Sequence, residues 1–324
     1  TLGDAALGSA IENLAPFGQY SLATTAIAGL RADLDAVARR LELTRFDKAS
    51  TSVKTDQWYV DATGGRTTVD LGPTASVTGA TAGLIRDVGF DGYYGFSLGV
   101  DKSKGHDGQA SVNTSGYRLG LFGGFLTDDR SFALDAGLSL ASLSGDLSHP
   151  SAFGTANGGT AKATTTAAWI RASSAVGLGD GWALTPFAQF EASTTKLSNL
   201  SETGQVDALT VSDATLNESS ASVGFGIQDS WTSDRGGWRY RLSLDIAYFS
   251  QLSGGTLSLT SGIPTEGLAL YSAERRVLPG SGFTLAPTLT FGPDPDSTFT
   301  LGLRFDQGAD GNAVGAQFGY RKRF

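Results

Sequence analysis

The chain has 324 residues, 44 of them glycine, with 40% hydrophobic and 10% aromatic content and no cysteine. Its formal net charge of −8 argues against a general nucleic-acid binder. No stretch approaches the ~20 continuous apolar residues that a membrane-spanning helix needs, which excludes a helical membrane protein but not a β-barrel, where only alternate residues face lipid.

The sequence begins at Thr1 without Met or a signal peptide and reads as a mature piece of a longer precursor. The first expected element is a helix from about Phe17 to Arg45. Ile27, Leu30, Leu34, Val37 and Leu41 recur at spacings of three and four, the stripe of an amphipathic helix, while Arg31, Asp35, Arg39 and Glu42 fall elsewhere. At about 1.5 Å per residue, roughly 25 residues reach about 38 Å, enough to thread a membrane-spanning barrel. A helix packed on a soluble core, or a short coiled coil, would carry the same stripe.

After Thr51 the pattern changes to a period of two. About twelve strands are expected. The first six are Gln57–Thr63, Ser76–Arg86, Gly92–Lys104, Ala110–Leu126, Ser131–Gly145 and Lys162–Leu178. The rest are Trp182–Leu197, Leu216–Trp231, Trp238–Ser253, Gly282–Phe291, Thr298–Asp306 and Ala313–Phe324. Several exceed the ~5–6 residues usual in soluble sheets and suit tilted strands that cross a bilayer.

Short, turn-rich connections alternate with longer ones. Asp87–Asp91, Thr127–Arg130, Gly179–Gly181, Thr232–Gly237 and Gly292–Ser297 are brief; Gly64–Ala75, Gly105–Gln109, Asp146–Ala161, Ser198–Thr215, Gly254–Ser281 and Gln307–Asn312 lie between them. Placing every longer loop at one end is the habit of an outer-membrane barrel, whose periplasmic turns are short.

The strand faces differ in kind. Trp238, Tyr240, Leu242, Leu244, Ile246 and Tyr248 alternate with Arg239, Arg241, Ser243 and Asp245. Phe299, Leu301, Leu303 and Phe305 alternate with Thr300, Gly302, Arg304 and Asp306. In the last strand Phe318, Tyr320 and Phe324 oppose Arg321 and Arg323. An arginine facing lipid at mid-depth costs about 2–4 kcal/mol, so the charged set must face the interior. Arg118, Arg171, Glu191, Arg239, Arg241, Asp245, Arg304, Arg321 and Arg323 are the candidate lumen charges. They form a wall that holds the helix or guides a passing chain, or they pair with one another to keep the barrel's shape.

Candidate chemistry is sparse. His106 and His149 fall in expected outer loops, and neither has the oriented partners of a catalytic base. Asp128 and Asp129 resemble a paired-carboxylate site, but a Thr-Asp-Asp-Arg turn explains them. Gly224-Phe225-Gly226 sits inside a strand and reads as relief of crowding rather than a phosphate cradle. No catalytic, cofactor-binding or metal-binding residue is expected.

Several segments resemble the autotransporter β-domain, the translocator of type V secretion in Gram-negative bacteria. Leu14–Tyr20 followed by an Ala/Leu/Arg helix resembles the passenger–translocator junction. Trp58, Tyr117–Phe122 (YRLGLF), Leu184–Gln189 (LTPFAQ) and Phe324 sit where family members carry similar patterns. Lys322 departs from them, since the family usually keeps that position apolar. The resemblance implies an all-β transmembrane barrel of about twelve antiparallel strands with an N-terminal α-helix in the pore. Residues 1–16 would be the remnant of the passenger junction, 17–50 the pore helix and linker with Arg31, Asp35, Arg39 and Glu42, and 51–324 the barrel. It implies a bacterial outer-membrane location and export and anchoring of an N-terminal passenger. It also implies a monomer without cofactor, in contact with outer-membrane lipid (lipopolysaccharide), periplasmic chaperones and the barrel-assembly machinery, the last reading Phe318, Tyr320 and Phe324. The family's cleaved branch often has paired asparagines in the helix region; this helix has none and Asn13 is single. A stand-alone porin and a surface adhesin acting through its long loops are the competing readings.

Overall fold

The computed structural model describes residues 15–47, 56–89, 92–127, 131–151, 156–205, 207–233, 237–263, 271–294 and 296–324, with backbone alone at 42–47 and 89. Helix α1 spans Phe17–Asp47. Twelve long strands follow: β1 Gln57–Val69, β2 Thr74–Gly89, β3 Gly92–Asp107, β4 Ala110–Leu126, β5 Phe132–His149 and β6 Asn157–Ser174, then β7 Trp182–Leu197, β8 Ala214–Thr232, β9 Arg239–Ser253, β10 Gly282–Asp294, β11 Ser297–Gly308 and β12 Gly311–Arg323. Each pairs antiparallel with its neighbours in sequence, and β12 pairs with β1 from Gln57–Arg323 to Val69–Gly311. The sheet is therefore a closed barrel, which leaves no unpaired edge to face lipid.

Alternation is strict where both faces are defined. In β3, Tyr93, Ser97, Asp101, Ser103 and Asp107 are buried, and Tyr94, Phe96, Leu98, Val100 and Lys102 are exposed. The expected second strand, which alternates poorly in hydrophobicity, alternates well in burial because its outward residues are mostly small: Ser76, Thr78, Ala80 and Ala82. Outward aromatics form a contact series near the end that carries the short turns. Trp58 meets Tyr320 edge-on at 5.4 Å, Tyr320 lies 5.0 Å from Phe299, Phe299 stacks on Phe291 at 5.6 Å, and Phe291 stacks on Trp238 at 6.2 Å. Such a belt is the girdle of a membrane interface.

At the opposite end the connections differ from expectation. Residues 64–69 continue β1, and 74–75 begin β2. The β3–β4 and β11–β12 connections are two-residue turns at 108–109 and 309–310. Only the β7–β8 and β9–β10 links are long. They build a second sheet from Leu200–Ser201, Thr210–Val211, Thr256–Gly262 and Tyr271–Arg276. This small sheet is the cap. Its Leu200, Val211, Leu257 and Leu259 join Tyr20, Leu22, Ala23 and Ile27 of α1 and Val112, Leu143 and Leu147 of the wall in one apolar core.

Candidate functional site: the helix-filled lumen

α1 lies inside the barrel. Tyr20, Leu22, Ile27, Leu30, Leu34, Val37 and Leu41 are all buried. Its first turns meet the cap; its later turns, through Leu30, Leu34, Val37 and Leu41, meet Tyr59, Ile85, Tyr93, Phe122, Leu126 and Trp169 toward the short-turn end. The helix therefore runs from the capped end to the girdled end.

It is not centred. α1 packs against β1–β6 and, less extensively, β7. On that side the contacts include buried ions. Arg118 of β4 reaches Asp101 of β3 at 2.7 Å and Asp33 of α1 at 3.4 Å, and donates to the Gly29 carbonyl at 2.8 Å. It also donates to Thr81 at 3.2 Å, whose hydroxyl in turn donates to Asp33 at 3.0 Å. Two turns nearer the girdle, Arg40 pairs with Asp61 of β1, and its guanidinium lies over the Tyr59 ring at 5.3 Å. Gly319 of β12 faces this pair; a Cβ there would collide with both Asp61 and Arg40.

The other face of α1 borders a side channel with ≈ 150 Å³ of water-accessible volume. Ala28, Arg31, Ala32, Asp35 and Arg39 line it from the helix, opposite inward residues of β7–β12. Arg31 pairs with Glu218 of β8 at 3.1 Å. Arg304 of β11 pairs with Asp35 and also with Asp306, at 2.8 Å. Arg171 lies over the Phe187 ring at 3.9 Å. A Cβ at Gly302 would stand 2.6 Å from Arg39 Nη1, so glycine gives that guanidinium its place.

Most of the expected lumen charges point inward. Arg118, Arg171, Arg321 and Arg323 are buried. Glu191, Asp245 and Arg304 line the side channel, and Arg241 is half-buried. Arg321 donates to Thr298 at 3.0 Å. Arg239 shares the inward parity but is exposed at the girdled mouth, because it is the first residue of β9 and has no wall above it to cover it. The Glu42 side chain, Asn13, Asp128 and Asp129 lie outside the described residues. Asp33, Arg40, Asp61, Asp101, Glu218 and Asp306 are further members of the network. Asp33 and Arg40 stand seven residues apart, two helical turns on one face, which is a legible signal.

The cap is latched to both helix and wall. Tyr20 donates to the Ala273 carbonyl at 2.7 Å and Thr24 to the Val277 carbonyl at 2.8 Å. Arg275 pairs with Asp107 at 2.6 Å and lies over the Phe17 ring at 4.8 Å; Arg276 pairs with Asp310 at 3.0 Å. Asp107 ends β3 at the cap, beyond the apolar band that stops at Val100; burial, only partly offset by Arg275, pushes its carboxyl up to about 6. His106 is exposed as expected, but His149 is buried, because the cap covers it; its Nδ1 meets Glu202 at 2.9 Å.

A sequence-family model described as "Autotransporter beta-domain" matches residues 56–304. No curated protein matches by sequence. Among solved structures, the chain resembles the translocator domain of autotransporter NalP from Neisseria meningitidis, with a TM-score of 0.67 at 14% identity over 93% of this chain and 100% of that one. It resembles the beta domain of the Bordetella autotransporter BrkA at 0.60 and 13% identity, over 82% and 98% of the two chains. The transport unit of AIDA-I from Escherichia coli gives 0.52 at 10% identity, over 88% and 97%. At these identities the structures establish the shared fold.

Proposed function

This chain belongs to the autotransporter beta-domain family, whose role is passenger export, and from that premise we propose that α1 is the pore-held segment joining an N-terminal passenger to the barrel. The observation that carries the reading is the direction of α1: Phe17 lies under the cap and Leu41 near the girdled end. A chain continuing ahead of Ala15 would leave at the capped face. In this reading residues 1–16 belong to the passenger junction, 17–50 to the pore helix and linker, and 51–324 to the translocator. The lumen charges hold the helix at rest and present a polar wall to a chain in transit. A resident helix argues against a porin with an open lumen.

The family and the membrane-type barrel imply an outer-membrane protein. We assign the capped face to the cell exterior and the short turns to the periplasm. The outward stripe of Phe318, Tyr320 and Phe324 is proposed as the surface read by the barrel-assembly machinery, with periplasmic chaperones delivering the chain. Phe324→Ser should then reduce inserted barrel in cells far more than refolding in detergent.

The test of the main reading is a reporter fused ahead of Ala15. It should be accessible to protease on intact cells and remain attached to the barrel. A reporter found only in the periplasm would overturn the proposal.

A further inference from the structure

The outward face of the barrel is not uniformly apolar or neutral. Five exposed cations, Arg66, Lys102, Lys104, Lys162 and Lys196, lie toward the capped end of β1, β3, β6 and β7. Each stands on the lipid-facing parity of its strand, further toward the cap than that strand's apolar or small residues: Val60 and Ala62 before Arg66, Leu98 and Val100 before Lys102, Ile170 and Ala168 before Lys162, Ala188 and Phe190 before Lys196.

Strand register brings them together. Arg66 is opposite Ser76 and Ser76 is opposite Lys104, two strand steps or about 10 Å in all. Lys102, Ser115, Ser144 and Lys162 form one continuous row across four strands. Lys196 is opposite Thr164 and so diagonal to Lys162, about 7–8 Å away. Between the ends of the Lys102–Lys162 row lies a groove lined by Ser115, Tyr117, Ser142 and Ser144, whose hydroxyls can donate hydrogen bonds.

None of the four lysines has an ion-pair partner among the described residues; two acids, Asp146 and, beside Lys196, Asp213, are exposed at the arc. The outer halves of β8–β12 present no outward lysine or arginine; Arg304, on β11, points inward to Asp35. The cations are thus confined to one arc of a chain whose net charge is −8. Like charges gathered above an apolar wall repel one another unless an anion joins them.

We propose that this arc binds a multiply phosphorylated lipid of the outer leaflet. Its phosphates would sit among Arg66, Lys102, Lys104 and Lys162, its sugar or glycerol hydroxyls would meet the serine-lined groove, and its acyl chains would lie on Leu98, Val100, Leu119 and Leu140. The occupant is a lipid rather than free phosphate because the cations adjoin an exposed apolar surface that only an acylated molecule covers. The proposal rests on the membrane orientation given above.

The experiment measures binding of bacterial lipopolysaccharide to the detergent-solubilised full chain by native mass spectrometry. The comparison ligands are enzymatically dephosphorylated lipopolysaccharide, a zwitterionic phospholipid and inorganic phosphate as competitor. Arg66→Gln/Lys102→Gln/Lys104→Gln/Lys162→Gln should lose about tenfold or more in affinity, and the Lys102→Gln/Lys104→Gln variant a smaller part of it. Wild type should bind the dephosphorylated and zwitterionic lipids as weakly as the quadruple variant binds lipopolysaccharide. Equal affinity of variant and wild type, or indifference to the phosphates, would overturn the proposal; so would displacement by inorganic phosphate. Orientation is read separately: Leu71→Cys, at a 98% exposed position of the β1–β2 turn, should react with an impermeant maleimide on intact cells. Labelling without phosphate preference rejects the lipid site alone. Absence of labelling rejects the orientation, and the proposal with it.

Discussion

Arg40 of the lumen helix and Asp61 of the first strand pair with both side chains only 1% exposed. The pair stands beside the seam where β1 closes on β12: Asp61 is opposite Gly319 in register, and outside the wall Trp58 meets Tyr320. Helix docking and barrel closure thus share one stretch of backbone.

Removing one partner of a buried ion pair typically costs about 3–5 kcal/mol, whereas replacing both by apolar residues of similar volume is often neutral. Asp61→Ala should therefore raise hydrogen exchange in the later turns of α1 sharply, and Arg40→Met/Asp61→Leu should raise it much less. Gly319→Val should behave like the single variant, because its side chain occupies the space of the ion pair.

The cysteine-free sequence allows clean cross-linking. A Cβ at Gly29 would lie 3.5 Å from the Val77 side chain of β2. Gly29→Cys/Val77→Cys should form a disulfide in the assembled barrel, seen as a shift in gel mobility reversed by reductant. Gly29→Cys paired with Leu244→Cys, on the lipid face of β9, should not. Efficient bridging in that control would contradict a lumen location for α1.

The space beside α1 predicts a small residual conductance in planar bilayers. Deleting residues 17–47 should enlarge it. Ala28→Trp/Ala32→Trp should reduce it below that of the intact chain, because both alanines line the channel. An intact chain already as conductive as the deletion would show that the helix does not occupy the lumen in the bilayer.

Asp107 makes cap docking depend on pH. Its carboxyl is raised to about 6 in the folded state, above the ~3.9 of an exposed aspartate. A group raised in this way contributes most below its unfolded value, and the contribution is lost as pH rises through about 6. Protease cleavage within the cap hairpin should therefore be slower at pH 5 than at pH 7.5, after correction for protease activity. Asp107→Asn should flatten that difference. A cap equally resistant at both pH values in the native chain would refute the linkage.

The strands were legible wherever one face meets lipid and the other meets the lumen. β4 and β7 coincide with their expected limits, Ala110–Leu126 and Trp182–Leu197, because alternation persists to both ends. β1 was expected to stop near Thr63, yet it runs to Val69. Beyond the apolar band both faces of β1 are polar, Arg66 and Thr68 outward and Thr67 inward, so polarity no longer reports the pleat while hydrogen bonding to β2 and β12 continues. The cap was hidden for a different reason. Thr210–Val211, after β7, and Thr256–Gly262, after β9, meet only because the β8–β9 hairpin returns their loops to one rim, and their local sequences carry no mark of that encounter. In the lumen, parity marked Arg118 and Arg304 as inward, but their partners on α1 depend on the helix's rotation, which the stripe from Ile27 to Leu41 left open because α1 is enclosed all round.

The unequal halves of the lumen also bear on friction. A wall of deep apolar pockets would trap each bulky side chain of a moving polypeptide and make its speed depend on its sequence. The open side of this barrel offers mostly small and polar groups, such as Ser220, Ser222, Gln189, Thr284 and Gly315, with charges of both signs that water or a peptide group can replace. The energy profile along such a surface is shallow. A barrel built this way should be indifferent to what slides past it and grip only the one helix whose Asp33 and Arg40 match its opposite wall.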